Sequence, residues 1–128
     1  MRLAQVLLLL AALVFIGIGV VFLFAPVEWA RVVEIELPTP ISRTDLRATY
    51  GGFDLGFGVF LALCAFRRDW IRPGLAAMGI ALAGFAGGRT YGILLDGCPT
   101  MLMPSLAILE ASGSILAFLV LRKTSKER

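Results

Sequence analysis

Residues 3–25 form an apolar run interrupted by a single polar residue, Gln5. As a helix rising about 1.5 Å per residue, the run is roughly 34 Å long, enough to cross the hydrocarbon core of a bilayer. Further helices are expected over about 45–66, 71–95 and 101–121, separated by polar or breaker-rich segments. The chain is 59% hydrophobic and 16% charged, whereas soluble domains have roughly 45–50% apolar and about 25% charged residues. A soluble core built from 128 residues could not bury that surplus. The expected fold is an all-α membrane protein, a single domain over 1–128 forming a four-transmembrane-helix antiparallel bundle with an outer loop over 26–44.

The alternative for the first run is a cleaved signal peptide. Its apolar region would span roughly 7–15 residues and end in a small-x-small site. This run is longer and ends Phe24-Ala25-Pro26, so a retained span is expected.

The segment boundaries carry local signals. Trp29 follows the first run and suits an interfacial aromatic belt. Glu34-Ile35-Glu36-Leu37 alternates, but Pro38 and Pro40 stop a strand, so an ordered surface loop with at most one amphipathic turn is expected. Ser42-Arg43-Thr44-Asp45 matches a capping box for the second helix, with Thr44 as a rival cap. Asp69 is the expected cap of the third helix, and Pro73 and Pro104 fit first turns. Asp96-Gly97-Cys98-Pro99-Thr100 reads as a tight turn.

Basic residues alternate between the two ends. Arg2, Arg67, Arg68, Arg72, Arg122, Lys123, Lys126 and Arg128 fall on one side. Arg31, Arg43 and Arg47 fall on the other, accompanied by Glu28, Glu34, Glu36 and Asp45. The positive-inside rule then puts both termini in the cytoplasm. The expected location is a bacterial inner membrane, crossed several times. No basic stripe with interleaved aromatics is present, which argues against nucleic acid.

Histidine is absent, Cys64 and Cys98 are expected near opposite faces, and no calcium- or magnesium-loop pattern appears. No metal, cofactor or disulfide is therefore expected. Cys64 reads as a core thiol, Cys98 as a thiol in an outer turn, and Met101 and Met103 as lipid-facing or core residues.

Three charges lie deep in the apolar runs: Asp54, Arg89 and Glu110. Each costs roughly 2.5–3.5 kcal/mol if left unpaired at the centre of a spanning helix. Asp54 and Glu110 are nine residues in from Asp45 and Met101, and Arg89 is seven before Asp96. All three therefore fall roughly 10–14 Å below the outer helix ends. They are expected to meet in one polar cluster. Helical spacing extends it outward through Arg47, Tyr50 and Asp54 on the second helix, Arg89 and Asp96 on the third, and Glu110 and Ser114 on the fourth. Gly52 and Gly56, and Gly84, Gly88 and Gly92, form rows spaced by four that would let helices approach closely.

The segment Asp45-Leu46-Arg47-Ala48-Thr49-Tyr50-Gly51-Gly52-Phe53-Asp54-Leu55-Gly56 resembles the central signature of a family of small four-helix membrane proteins, domain of unknown function 4345. Gly84-Phe85-Ala86-Gly87-Gly88-Arg89 and Glu110 are similar as well, so the resemblance covers nearly the whole chain. It implies a four-helix membrane fold and carries no assigned activity.

Three functions fit these residues. In the first, Arg89 bridges the two acids and fixes helix order, in a structural protein or an accessory subunit of a larger membrane complex. In the second, the cluster binds a lipophilic small molecule or converts it by metal-free isomerisation, hydration or cyclisation. Asp54 and Glu110 would be the acid and base, Tyr50 a proton or hydrogen-bond donor, and Arg89 the anchor of an anionic group. In the third, the chain is a small proton-coupled transporter, although Arg89 opposes proton cycling on Glu110. Membrane lipids are partners under every reading.

Overall fold

The computed structural model describes residues 2–98 and 100–126. Pro99 of the expected turn and Arg128 of the basic tail lie outside them. Helix α1 covers Arg2–Phe24 and α2 covers Pro26–Val32. Helix α3, Pro40–Leu46, runs through a widened π stretch, Arg47–Phe53, into α4, Asp54–Phe66. A single 3-10 turn at Arg68–Trp70 leads into α5, Ile71–Asp96, and α6 follows over Leu102–Lys126. Among the described residues there is no strand. Four helical stretches are long and apolar enough to cross a membrane: Arg2–Phe24, Pro40–Phe66, Arg68–Asp96 and Leu102–Thr124. The chain is thus all-α, with four candidate membrane spans.

The helix starts differ from the sequence expectation. The second span begins at Pro40, not at residue 45, because Thr39 caps it. The Thr39 hydroxyl accepts from the Ser42 amide at 3.1 Å, and Ser42 Oγ accepts from the Thr39 amide at 3.2 Å. This reciprocal box satisfies two free amides, and Pro40 at the first helical position has no amide to satisfy. Ser42, expected to open the helix, is its third residue. Asp69 lies within the 3-10 turn, and the position before α5 is Trp70, with no side-chain cap.

The expected loop contains two turns of helix, α2. Its end is a Schellman motif: Ile35 N–H reaches Ala30 O at 2.8 Å and Glu34 N–H reaches Arg31 O at 3.1 Å. Glu34 takes the left-handed conformation this needs, with φ 59°. The motif turns Ile35 and Leu37 onto a small core of Phe22, Ala30 and Leu46, joined by Val21, Val33 and Tyr50. The alternating acids Glu34 and Glu36 stay exposed.

The chain divides into two compact units. One holds residues 9–63 and the other residues 2–8 with 64 onward. In the first unit, α1 crosses α4 almost backbone to backbone. A Cβ on Gly19 would lie 2.5 Å from Leu55 N and 2.8 Å from Gly51 O. One on Gly58 would lie 2.8 Å from Ile16 N. Phe15 meets Phe57 edge to face, with centroids 4.9 Å apart. In the second unit α5 and α6 form an antiparallel hairpin. Gly79 takes the Phe118 ring, Leu82 reaches over Gly113, and Ser114 donates to Gly79 O at 2.8 Å. Gly97 ends α5 with φ 78°, which a glycine adopts without strain.

Close approach therefore falls on Gly19, Gly51, Gly58, Gly74, Gly79 and Gly113. At Gly56, Gly84, Gly88 and Gly92 an added Cβ would meet open space, and at Gly52 only Arg47 O at 3.7 Å. Within each unit the close approaches do not run through the rows read from the sequence. Glycine spacing alone could not tell a packed face from an outward one.

Candidate functional site

Arg89 and Glu110 face each other across the α5–α6 hairpin. Arg89 Nε donates to both carboxylate oxygens of Glu110, at 2.9 Å each. Arg89 Nη1 reaches the Met103 sulfur at 3.3 Å. The side chains are 23% and 13% exposed, so most of each charge is withdrawn from its surroundings into the contact. The hairpin register makes this pairing. With Gly79 against Phe118 and Leu82 against Gly113, residues near 89 on α5 come level with those near 110 on α6. Met103, read as a lipid-facing or core residue, instead takes a guanidinium proton on its thioether, a weak acceptor.

Among the described residues this is the single ion pair. Of the expected three-charge cluster, the structure shows this pair. Asp54 belongs to the other compact unit. There it is 5% exposed and has no side-chain hydrogen bond or ion pair among the described residues. Its position is set by the π stretch that ends just before it and by Gly51 and Gly58, which lie on its own helix face and press on α1. Wide helical turns of this kind recur at functional positions.

The outer members of the expected cluster have separate duties. Arg47 is exposed, and its Nε donates to Leu23 O at 3.1 Å, which satisfies a carbonyl left free at the end of α1. Tyr50 packs on Phe22, with ring centroids 5.2 Å apart. Arg47 and Tyr50 thus both turn to α1. Ser114 is buried and spends its hydroxyl proton on the Gly79 carbonyl. Asp96 is exposed at the end of α5 and joins no ion pair among the described residues. Among the described residues no group of acids and cysteines is placed to hold a metal ion. Both cysteines are free, Cys64 buried and Cys98 half-buried.

One contact was not foreseen. Gln5, the lone polar residue of the first run, donates from Nε2 to Ala65 O at 3.0 Å. It occupies a carbonyl near the end of α4 that has no partner further along the helix.

The model of the family described as domain of unknown function DUF4345 matches residues 3–121. The chain belongs to that family. The match takes in all four candidate spans of this DUF4345 chain almost to the end of the last, including Asp54, Arg89 and Glu110. No curated protein and no solved structure matches it.

Proposed function

We propose that this DUF4345 chain is a membrane-embedded structural protein or accessory subunit of a larger membrane complex, with both termini cytoplasmic. The observation that carries this reading is the Arg89–Glu110 contact: one N–H, at Arg89 Nε, serves both carboxylate oxygens at 2.9 Å. A polar site kept for turnover needs an open side. Here the pair is spent within the hairpin, as in a device that fixes helix register. The positive-inside distribution supports the orientation.

Complementation tests the reading. In cells lacking the chain, a doubly apolar variant, R89L/E110L, restores the phenotype that the native chain restores. Single variants fail and accumulate poorly, because each leaves one uncompensated charge. A doubly apolar variant that accumulates normally but restores nothing would give the pair a chemical task and end the structural reading.

Asp54 favours a second reading, binding or acid–base conversion of a lipophilic small molecule. A carboxylate within a span is functional by default, and this one is buried with no partner among the described residues. Asp54→Asn should then accumulate as the native chain does while losing a molecule that copurifies with it. An unchanged complement of extracted small molecules would remove this reading.

A further inference from the structure

The second compact unit gathers basic side chains at one end. Gln5 binds Ala65 O and so joins the start of α1 to the end of α4. Arg2 lies three residues before Gln5, and Arg67 and Arg68 follow Ala65 by two and three residues. Arg72 stands in the first turn of α5. Gly79 meets Phe118 across the hairpin, and carrying that antiparallel register seven residues back brings Arg72 level with the end of α6, where Arg122 and Lys123 lie. Six cations thus surround one end of the unit, with Asp69 the one acid beside them among the described residues. Arg72 is half-buried and the other five are exposed. Among the described residues none of the six joins an ion pair. Arg67 lies over the Trp70 ring, 5.0 Å from its centroid, and Trp70 is 40% exposed.

The six charges sit at the ends of candidate spans, where a bilayer changes from acyl chains to headgroups. Trp70 has the amphipathic ring that settles at this level, and the neighbouring Phe66 is 76% exposed. Arginines at headgroup depth meet phosphate oxygens, which they bind through paired N–H groups. We infer that this end is a binding surface for anionic phospholipid headgroups, with Arg67, Arg68 and Arg72 around Trp70 as its centre. It is independent of any role of Arg89 and Glu110. The linker between α4 and α5 is only Arg67 and the turn Arg68–Trp70, which keeps its arginines close to the ends of the spans.

The test is lipid selectivity at the protein boundary. The full chain is reconstituted in phosphatidylcholine vesicles containing spin-labelled phosphatidylglycerol or spin-labelled phosphatidylcholine. The native chain should hold the anionic probe about five-fold more strongly, the gain expected for one well-placed basic residue near an anionic surface. High salt should lower the ratio towards one. R67Q/R68Q/R72Q should lose most of the preference at unchanged helix content, and R122Q/K123Q, on the separate α6 end, should lose part of it. Inorganic phosphate at matched concentration should leave the preference in place. Equal retention of the two probes by the native chain would overturn the proposal and leave an acidic protein as the partner. So would full preference in both variants. Displacement by free phosphate would replace the lipid with a small anion.

Discussion

Arg89 on α5 shares one N–H between the two carboxylate oxygens of Glu110 on α6, each 2.9 Å away. The shared contact makes the two residues a unit, and their substitutions should not add. Arg89→Leu or Glu110→Leu alone leaves a charge within the hairpin without its counterpart, at a cost of about 3–5 kcal/mol. R89L/E110L removes both desolvation costs along with the attraction and should lie near the native stability. Unfolding in mixed micelles measures all three variants. Additive losses would mean that the two side chains act separately.

The approach of Gly19 to the carbonyl of Gly51 sets the crossing of α1 and α4. A Cβ there would stand 2.8 Å from that oxygen and 2.5 Å from Leu55 N. Both are backbone atoms, so no side chain can turn aside. Gly19→Ala should cost about 1–3 kcal/mol, the usual range for overpacking. Gly84→Ala and Gly88→Ala point into open space and should keep or raise stability, since alanine is the better helix former by about 0.5–1 kcal/mol. Thermal unfolding of the three variants in one detergent gives the comparison. Harm from Gly84→Ala equal to that from Gly19→Ala would mean that the outward row is packed in the membrane.

Ser114 ties α6 to α5 by donating to the Gly79 carbonyl, which already serves its own helix. Ser114→Ala should therefore cost about 1 kcal/mol, the usual net value of one hydrogen bond. Ser112 is a control on the same helix, because it is exposed and donates locally to Ile108 O. Ser112→Ala should leave the unfolding midpoint unchanged. Equal effects at the two serines would assign the loss to helix propensity rather than to the contact between helices.

The four candidate spans were legible because the length of an apolar run can be read directly against the thickness a membrane helix must cross. The Arg89–Glu110 pair was legible from depth, since two antiparallel helices joined by a short turn bring equal depths together. Asp54 was assigned to the same level by the same count, but counting residues cannot choose which neighbour a helix face meets. The face argument for Arg47, Tyr50 and Asp54 assumed regular α spacing, and a π stretch, Arg47–Phe53, lies between them. Nothing in Gly51-Gly52-Phe53 announces such a stretch. The packed glycines were missed for a related reason. Gly19, Gly58 and Gly79 stand out only once their neighbours are known, whereas Gly84, Gly88 and Gly92 repeat visibly although an added Cβ on each would meet open space.

The start of the second span offers the sharpest contrast between two readings of one segment. Residues 42–45 have the composition of a capping box, yet the box that forms is Thr39 with Ser42. Pro40 decides between them, because its fixed φ suits a first helical residue and its missing amide leaves one fewer donor to satisfy. Thr39→Ala should lower the stability of the unit spanning residues 9–63 by about 1 kcal/mol, the typical value of an N-cap. Ser42→Ala should cost less, since it breaks the return bond to the Thr39 amide and leaves the amide of residue 42 capped by Thr39. Asp45→Asn should change nothing, because Asp45 is exposed and lies beyond the first turn of the helix. Hydrogen exchange at the amide of residue 42 reports on the cap directly. It should quicken in Thr39→Ala and keep its native rate in Asp45→Asn, and the reverse order would return the helix start to residue 45.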